Sequence, residues 1–166
     1  MTHRFHYSGT PNRIVFGAGE STTVGDWIET LGCNRALVLV TPVQAADGAA
    51  LAERLGDRAA GVFDGAAMHT PVEVTERALA AVADVGADCL VALGGGSTTG
   101  LGKAIAYRTD LPQIVVPTTY AGSEVTPILG QTEHGEKTTL KDPRVLPEVV
   151  IYDPLLTLGL PLDMSV

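Results

Sequence analysis

The chain has 166 residues, 45% of them hydrophobic and 18% charged, and a net charge of −8. That composition fits one globular domain with a real core and is too short for two full ones. No segment gathers the Lys and Arg of a phosphate-tracking surface, and no apolar run reaches the length of a membrane span. Nucleic acid and membrane are therefore not expected as partners, and a cytoplasmic protein is.

Taken in chain order, apolar strands alternate with helical patterns. A strand is predicted at 13–16, then a helix at 20–31 stopped by Gly32. A strand at 36–40 leads to a helix at 44–55 stopped by Gly56, and a short strand follows at 61–63. The next helix has the fullest start signal: Thr70 as N-cap, Pro71 in the first helical position and Glu73 completing a capping box. Val74, Leu79, Val82 and Val85 then follow near-helical spacing up to the stop at Gly86. A strand at 89–93 runs into Gly94-Gly95-Gly96-Ser97, and the helix that starts at Ser97 carries Leu101, Ala104 and Ile105 on one face. After a strand at 113–117, residues 125–130 and 137–140 flank the polar turn Glu133-His134-Gly135-Glu136 and read as an inserted β-hairpin. The last strand is 149–152, and 154–161 is a connector.

Most of the strands are continuous apolar runs, as parallel strands covered on both faces require. The predicted fold is α/β: a doubly wound, mostly parallel, Rossmann-like sheet with an inserted hairpin. Residues 1–160 would form a dinucleotide-binding domain, and 161–166 would begin a second domain. Ligands of such sheets bind beyond the carboxyl ends of the strands, which points to the loops after residues 40, 93 and 116.

The glycine turn is the strongest chemical signal. Glycines remove the Cβ atoms that would keep a phosphate from the backbone, and the first N–H groups of the following helix face the anion. A tight strand-to-helix turn needs glycine for sterics alone. Gly94, Gly95 and Gly96 followed by the hydroxyls of Ser97 and Thr98 exceed that need. Neither standard phosphate fingerprint fits: Ala104 stands after Lys103 where a P-loop needs Ser or Thr, and the turn follows the fourth strand rather than the first. A second loop, Thr118-Thr119-Tyr120-Ala121-Gly122-Ser123-Glu124, offers hydroxyls suited to ribose and carboxamide, although a plain loop of capping residues would look similar. His3, His6, His69 and His134 are scattered with no pair at ligand spacing, so no metal is expected in this chain. Cys89, inside an apolar run, reads as a small core residue, and Asp110, Asp142 and Asp153 read as turn formers.

Gly94-Gly95-Gly96-Ser97 with Lys103, then Pro117-Thr118-Thr119 ending in Gly122-Ser123-Glu124, resembles the iron-type alcohol dehydrogenase superfamily. So does the run from Asp142 to Pro154. The stretch from Ala67 to Glu73, Gly100, and the compact 118–124 loop look most like its maleylacetate reductase branch. The resemblance implies NADH or NADPH as cofactor and reduction of the carbon–carbon double bond of a maleylacetate-like dicarboxylate. It also implies a helical C-terminal domain carrying the catalytic groups, and a homodimer. Carried over by position, Gly95, Gly96 and Ser97 would hold the pyrophosphate, and Thr118, Thr119 and Tyr120 would line the nicotinamide side. Lys137 would reach the nicotinamide ribose, and His69 and Thr70 would form a cofactor-side loop. Thr41-Pro42 stands where many members carry an acid for the adenosine ribose, which implies weak discrimination between the two coenzymes. Two alternatives stay open: a metal-dependent alcohol or polyol dehydrogenase of the same superfamily, and a non-catalytic nucleotide-binding module.

Overall fold

The structure, a computed structural model, describes residues 9–164; His3, His6, Ser165 and Val166 lie outside the described residues. Six parallel strands form one sheet in the order β1-β8-β5-β4-β2-β3. They are β1 (Arg13–Phe16), β2 (Ala36–Leu39), β3 (Ala59–Phe63), β4 (Cys89–Gly94), β5 (Gln113–Pro117) and β8 (Val149–Tyr152). Helices α1 (Val24–Thr30) and α2 (Ala45–Leu55) cover one face, and α3 (Val72–Val85) and α4 (Gly96–Thr109) the other.

Strand β4 shows why the apolar runs are unbroken. Cys89, Val91 and Leu93 pack with Val24, Ile28 and Leu51 on the α1/α2 side, while Leu90 packs with Leu101 and Ile105 on the α3/α4 side. With both faces dry, alternation with polar residues would bury unpaired groups. Strand β3 begins at Ala59, two residues earlier than predicted, because Ala59 and Ala60 carry no strong β signal and join through pairing with β2.

Strands β6 (Ile128–Glu133) and β7 (Glu136–Lys141) form the antiparallel hairpin, closed by His134 and Gly135 at φ 49° and 82°. Two consecutive positive φ values give the right-handed twist that a two-residue hairpin turn needs. The hairpin packs on α4 through Leu129 against Ala104. Gln131 anchors it to both neighbouring helices, accepting from Arg108 Nη1 at 3.1 Å and donating to Thr75 Oγ1 at 3.4 Å.

The predicted capping box at α3 does not form. The helix begins at Val72 with Pro71 as an extended cap residue, and no side chain caps it. Thr70 adopts φ 48°, outside the extended conformation of an N-cap, and its side chain turns toward α4 instead. Asp110 ends α4 in the left-handed region, and Asp142 and Asp153 cap short helical turns, accepting from the N–H groups of Arg144 and Leu155.

Candidate functional site

Strand order reverses between β2 and β4: from β2 the chain moves outward to β3, whereas from β4 it moves the other way to β5 and β8. The loops after β2 and β4 therefore face one another across a crevice at the carboxyl ends. Gln44, in the turn after β2, ties the loops together. Its Oε1 accepts from Thr41 Oγ1 at 3.2 Å, and its Nε2 donates to Thr118 Oγ1 at 3.3 Å. The Thr118 N–H donates to the Gly94 carbonyl at 2.9 Å, so the loops after β2, β4 and β5 form one cradle.

Glycine is required at the centre of this cradle. Gly94 has φ 147°, and a Cβ there would sit 2.7 Å from both Gln44 Oε1 and Thr98 Oγ1. A Cβ on Gly95 would approach Thr119 Oγ1 to 2.9 Å. Helix α4 starts at Gly96 with no side-chain cap. Its first N–H groups lack intrahelical partners, and the open backbone of Gly95 and Gly96 fits an anion.

Two cavities meet at this turn, and Met68, Gly96 and Ser97 line both. The first, about 1040 Å³, extends over Thr41, Gln44 and Thr118 toward Val43, Leu155 and Leu156. Asp47 and Arg54 of α2 also face it. The second, about 400 Å³, lies under the hairpin and is lined by His69, Thr70, Gly100, Lys103, Ser123 and Lys137.

Of the predicted site residues, Thr41, Gly95, Gly96, Ser97, Thr118 and Thr119 face the first cavity, and His69, Thr70, Ser123 and Lys137 the second. Four lie off both walls. Gly94 closes β4, and Pro42 opens the turn after β2. Thr98 is fully buried, its hydroxyl consumed by the Gly95 carbonyl at 2.8 Å. Tyr120 is 65% exposed and lines neither chamber.

Two braces escaped the sequence. Lys103, 1% exposed, donates from Nζ to the carbonyls of Ser123, Thr126 (2.7 Å) and Ile128 (2.9 Å) and to Thr126 Oγ1. It thereby fixes the wall that carries Ser123. Burial draws its pKa down to about 8, with Glu124 working against the shift. Asp153, 2% exposed, accepts from the N–H groups of Gly19 at 3.0 Å and of Ser21 and Leu155 at 3.1 Å. Burial opposes its ionisation, but these donors outweigh it and hold the carboxyl below its ordinary range. A polar residue inside an apolar helical stretch was the available signal for Lys103; Asp153 gave none beyond its turn.

Among the described residues, one group of ligating side chains comes together away from the cradle: Cys33, Asp88 and Cys89. It sits at the amino end of β4, the opposite end of the sheet. Burial raises both thiols, and Asp88 already accepts from the N–H groups of Asn34 and Arg35 at 2.8 Å. Thiols held protonated are poor ligands.

A doubly wound parallel sheet with an uncapped helix start and a glycine cradle at its reversal point defines an α/β protein of the Rossmann-like class. The chain belongs to the iron-containing alcohol dehydrogenase family, whose model matches residues 11–154. It is 69% identical to the maleylacetate reductase of Rhizobium sp. (strain MTP-10005), over 97% of this chain and 46% of that protein. It superposes on the crystal structure of maleylacetate reductase from Agrobacterium tumefaciens with a TM-score of 0.95 and 66% identity, over 99% of this chain and 47% of that one. It also matches sulfoacetaldehyde reductase from Bifidobacterium kashiwanohense, solved in complex with NAD+, with a TM-score of 0.88 and 25% identity over 99% of this chain and 50% of that one. The chain thus spans about half the length of the relatives it matches. No helix among the described residues is long and apolar enough to cross a membrane.

Proposed function

We propose that this chain is the cofactor-binding half of an NADH- or NADPH-dependent reductase that converts maleylacetate to 3-oxoadipate. The carrying observation is the single cradle built from the loops after β2, β4 and β5, with the start of α4 open at its centre. In this reading the pyrophosphate lies on Gly95, Gly96 and Ser97, where backbone donors supply positive potential inside an acidic protein. The adenosine half occupies the first cavity, over Thr41 and Gln44, and the nicotinamide half passes the Thr118–Thr119 loop and ends where the two cavities meet. Asp47 and Arg54, of opposite charge, both line this first cavity, which suits acceptance of either coenzyme.

The nicotinamide, when bound, supplies a hydride to the alkene carbon conjugated to the substrate's keto group. This chain's contribution is position: Gly95 and Thr119 keep the loops close, Gln44 fixes their spacing, and the hairpin closes one side of the chamber. The remaining length of the relatives would supply the proton donor and further substrate contacts, in a longer, homodimeric enzyme.

Steady-state reduction of maleylacetate by the full-length protein, with binding of NADH, NADPH, ADP-ribose and ATP measured in parallel, tests the proposal. The expected result is turnover with both coenzymes, with affinities within a hundredfold, about 2.7 kcal/mol. Binding of ATP without NADH, and no turnover, would instead support a nucleotide-sensing module.

A further inference from the structure

The second cavity carries charge of one sign. Lys103 and Lys137 line it and no acidic side chain does, in a chain whose net charge is −8. Its hydroxyls are also unspent: Ser123 Oγ is buried with no hydrogen-bond partner, and Thr70 Oγ1 has none among the described residues. Lys137 forms no ion pair within the described residues. Lys103 spends its own donors on the wall, so the free donors are the Thr70 and Ser123 hydroxyls and Lys137, and with no carboxylate beside them they fit a ligand that only accepts.

Thr70 is held in this chamber at a conformational cost. His69 and Thr70 are consecutive non-glycine residues at φ 65° and 48°, and a β-branched residue there is a true outlier. Strain of about 1–3 kcal/mol per residue persists only where the surroundings impose it. Here they do. The Thr132 N–H of β6 donates to the Thr70 carbonyl at 3.3 Å, and Pro71 pairs with Thr132 in an isolated bridge. On the other side, α4 has no side chain at position 100: a Cβ on Gly100 would collide with Thr70 Oγ1. The strained turn and the missing side chain are one device, which places a neutral hydroxyl where α4 would otherwise present its own residue.

We propose that the second cavity receives a carboxylate of the substrate, on the hydroxyls of Thr70 and Ser123 and under the charge of Lys137, and that Thr70 sets this preference. The proposal rests on the reductase reading above. A cofactor phosphate is less suited to the position. Gly100 lies about 5–6 Å along α4 from Gly96, past the open N–H groups, where recognition falls to side chains.

The test is kinetic, in the full-length protein, with Thr70→Val removing the hydroxyl and keeping the branched shape. KM for the dicarboxylate should rise at least tenfold, while KM for its dimethyl ester and Kd for ADP-ribose stay within twofold; Thr70→Ser should restore the wild-type values. An equal rise for acid and ester, or no change, overturns the proposal while leaving the reductase reading intact. Weakened ADP-ribose binding overturns it too, by giving the hydroxyl to the cofactor. A wild-type protein that reduces the dicarboxylate with neither coenzyme ends both. Should Thr70→Val fail to fold, Ser123→Ala must show the same split between acid and ester, at threefold or more, or the proposal fails.

Discussion

The two cavities that share the glycine turn are braced by buried groups of opposite charge. The first is held by a carboxylate: Asp153 gathers three N–H groups and so joins the loop after β1, through Ser21, to the connector that carries Leu155. The second is held by an ammonium: Lys103 gathers three carbonyls and a hydroxyl from the segment between the Thr118 loop and the hairpin. Irregular backbone at a buried site leaves unpaired donors or acceptors, and each brace has the sign that its loop's surplus demands. One turn can thus serve two chambers of different chemistry, the first with apolar walls and the second cationic and hydroxyl-rich.

Breaking the shared element should collapse the distinction. Gly94→Ala forces a Cβ into a φ of 147° and against Gln44 and Thr98 at 2.7 Å. Backbone strain and overpacking together should cost about 2–5 kcal/mol. Both ADP-ribose affinity and turnover should fall by at least a hundredfold, with a lower Tm. Loss confined to one of the two would mean that the chambers do not depend on a common turn.

Lys103→Met should separate them. Methionine fills the volume but leaves the carbonyls of Ser123, Thr126 and Ile128 without their donor, at about 2–4 kcal/mol. KM for the anionic substrate should rise while ADP-ribose affinity holds. The pH dependence carries its own signature. With a folded pKa near 8 against an ordinary 10.5, the unfolded chain holds the extra proton between those values, so this group's contribution to stability grows as pH rises through that window. Over the same range the second cavity loses a positive charge, and affinity for the anion should fall. His69 and Lys137 face the same chamber, and Glu124 lies near, engaged by the Tyr152 hydroxyl at 2.8 Å. The difference between wild type and Lys103→Met isolates the Lys103 share; identical pH profiles for the two would remove Lys103 from the cavity's electrostatics.

Much of this architecture was legible in the residues. Runs such as 89–93 and 113–117 announce strands covered on both faces, and Gly32, Gly56 and Gly86 each close a helix or its last turn at positive φ. The glycine turn and the loop of Thr118 and Thr119 point to the cradle from their residue types alone. What stayed hidden is long-range or conformational. Gln44 acts on Thr118, 74 positions away, and no local pattern encodes that pairing. Thr70 has the residue type and spacing of an N-cap, and only contact with β6 and α4 turns it into the left-handed region. Local propensity lost there to tertiary packing.

The smallest effect sharpens the comparison from the acidic side. Asp153→Asn keeps one oxygen acceptor but cannot serve three N–H groups as a charged carboxylate does, and should cost about 1–2 kcal/mol. The carboxyl's folded pKa lies below its ordinary 3.8. Its contribution is therefore complete above about pH 4 and drains away as pH falls through the folded value. Thermal melts between pH 2 and 7, roughly the span of that transition, should show wild type converging on the variant at the acid end. ADP-ribose affinity should weaken severalfold near neutrality, because Ser21 and Leu155 face the first cavity, while the substrate's acid-to-ester ratio of KM stays put. A shift in that ratio would show that the carboxylate brace reaches across the glycine turn, and that the two chambers are mechanically one.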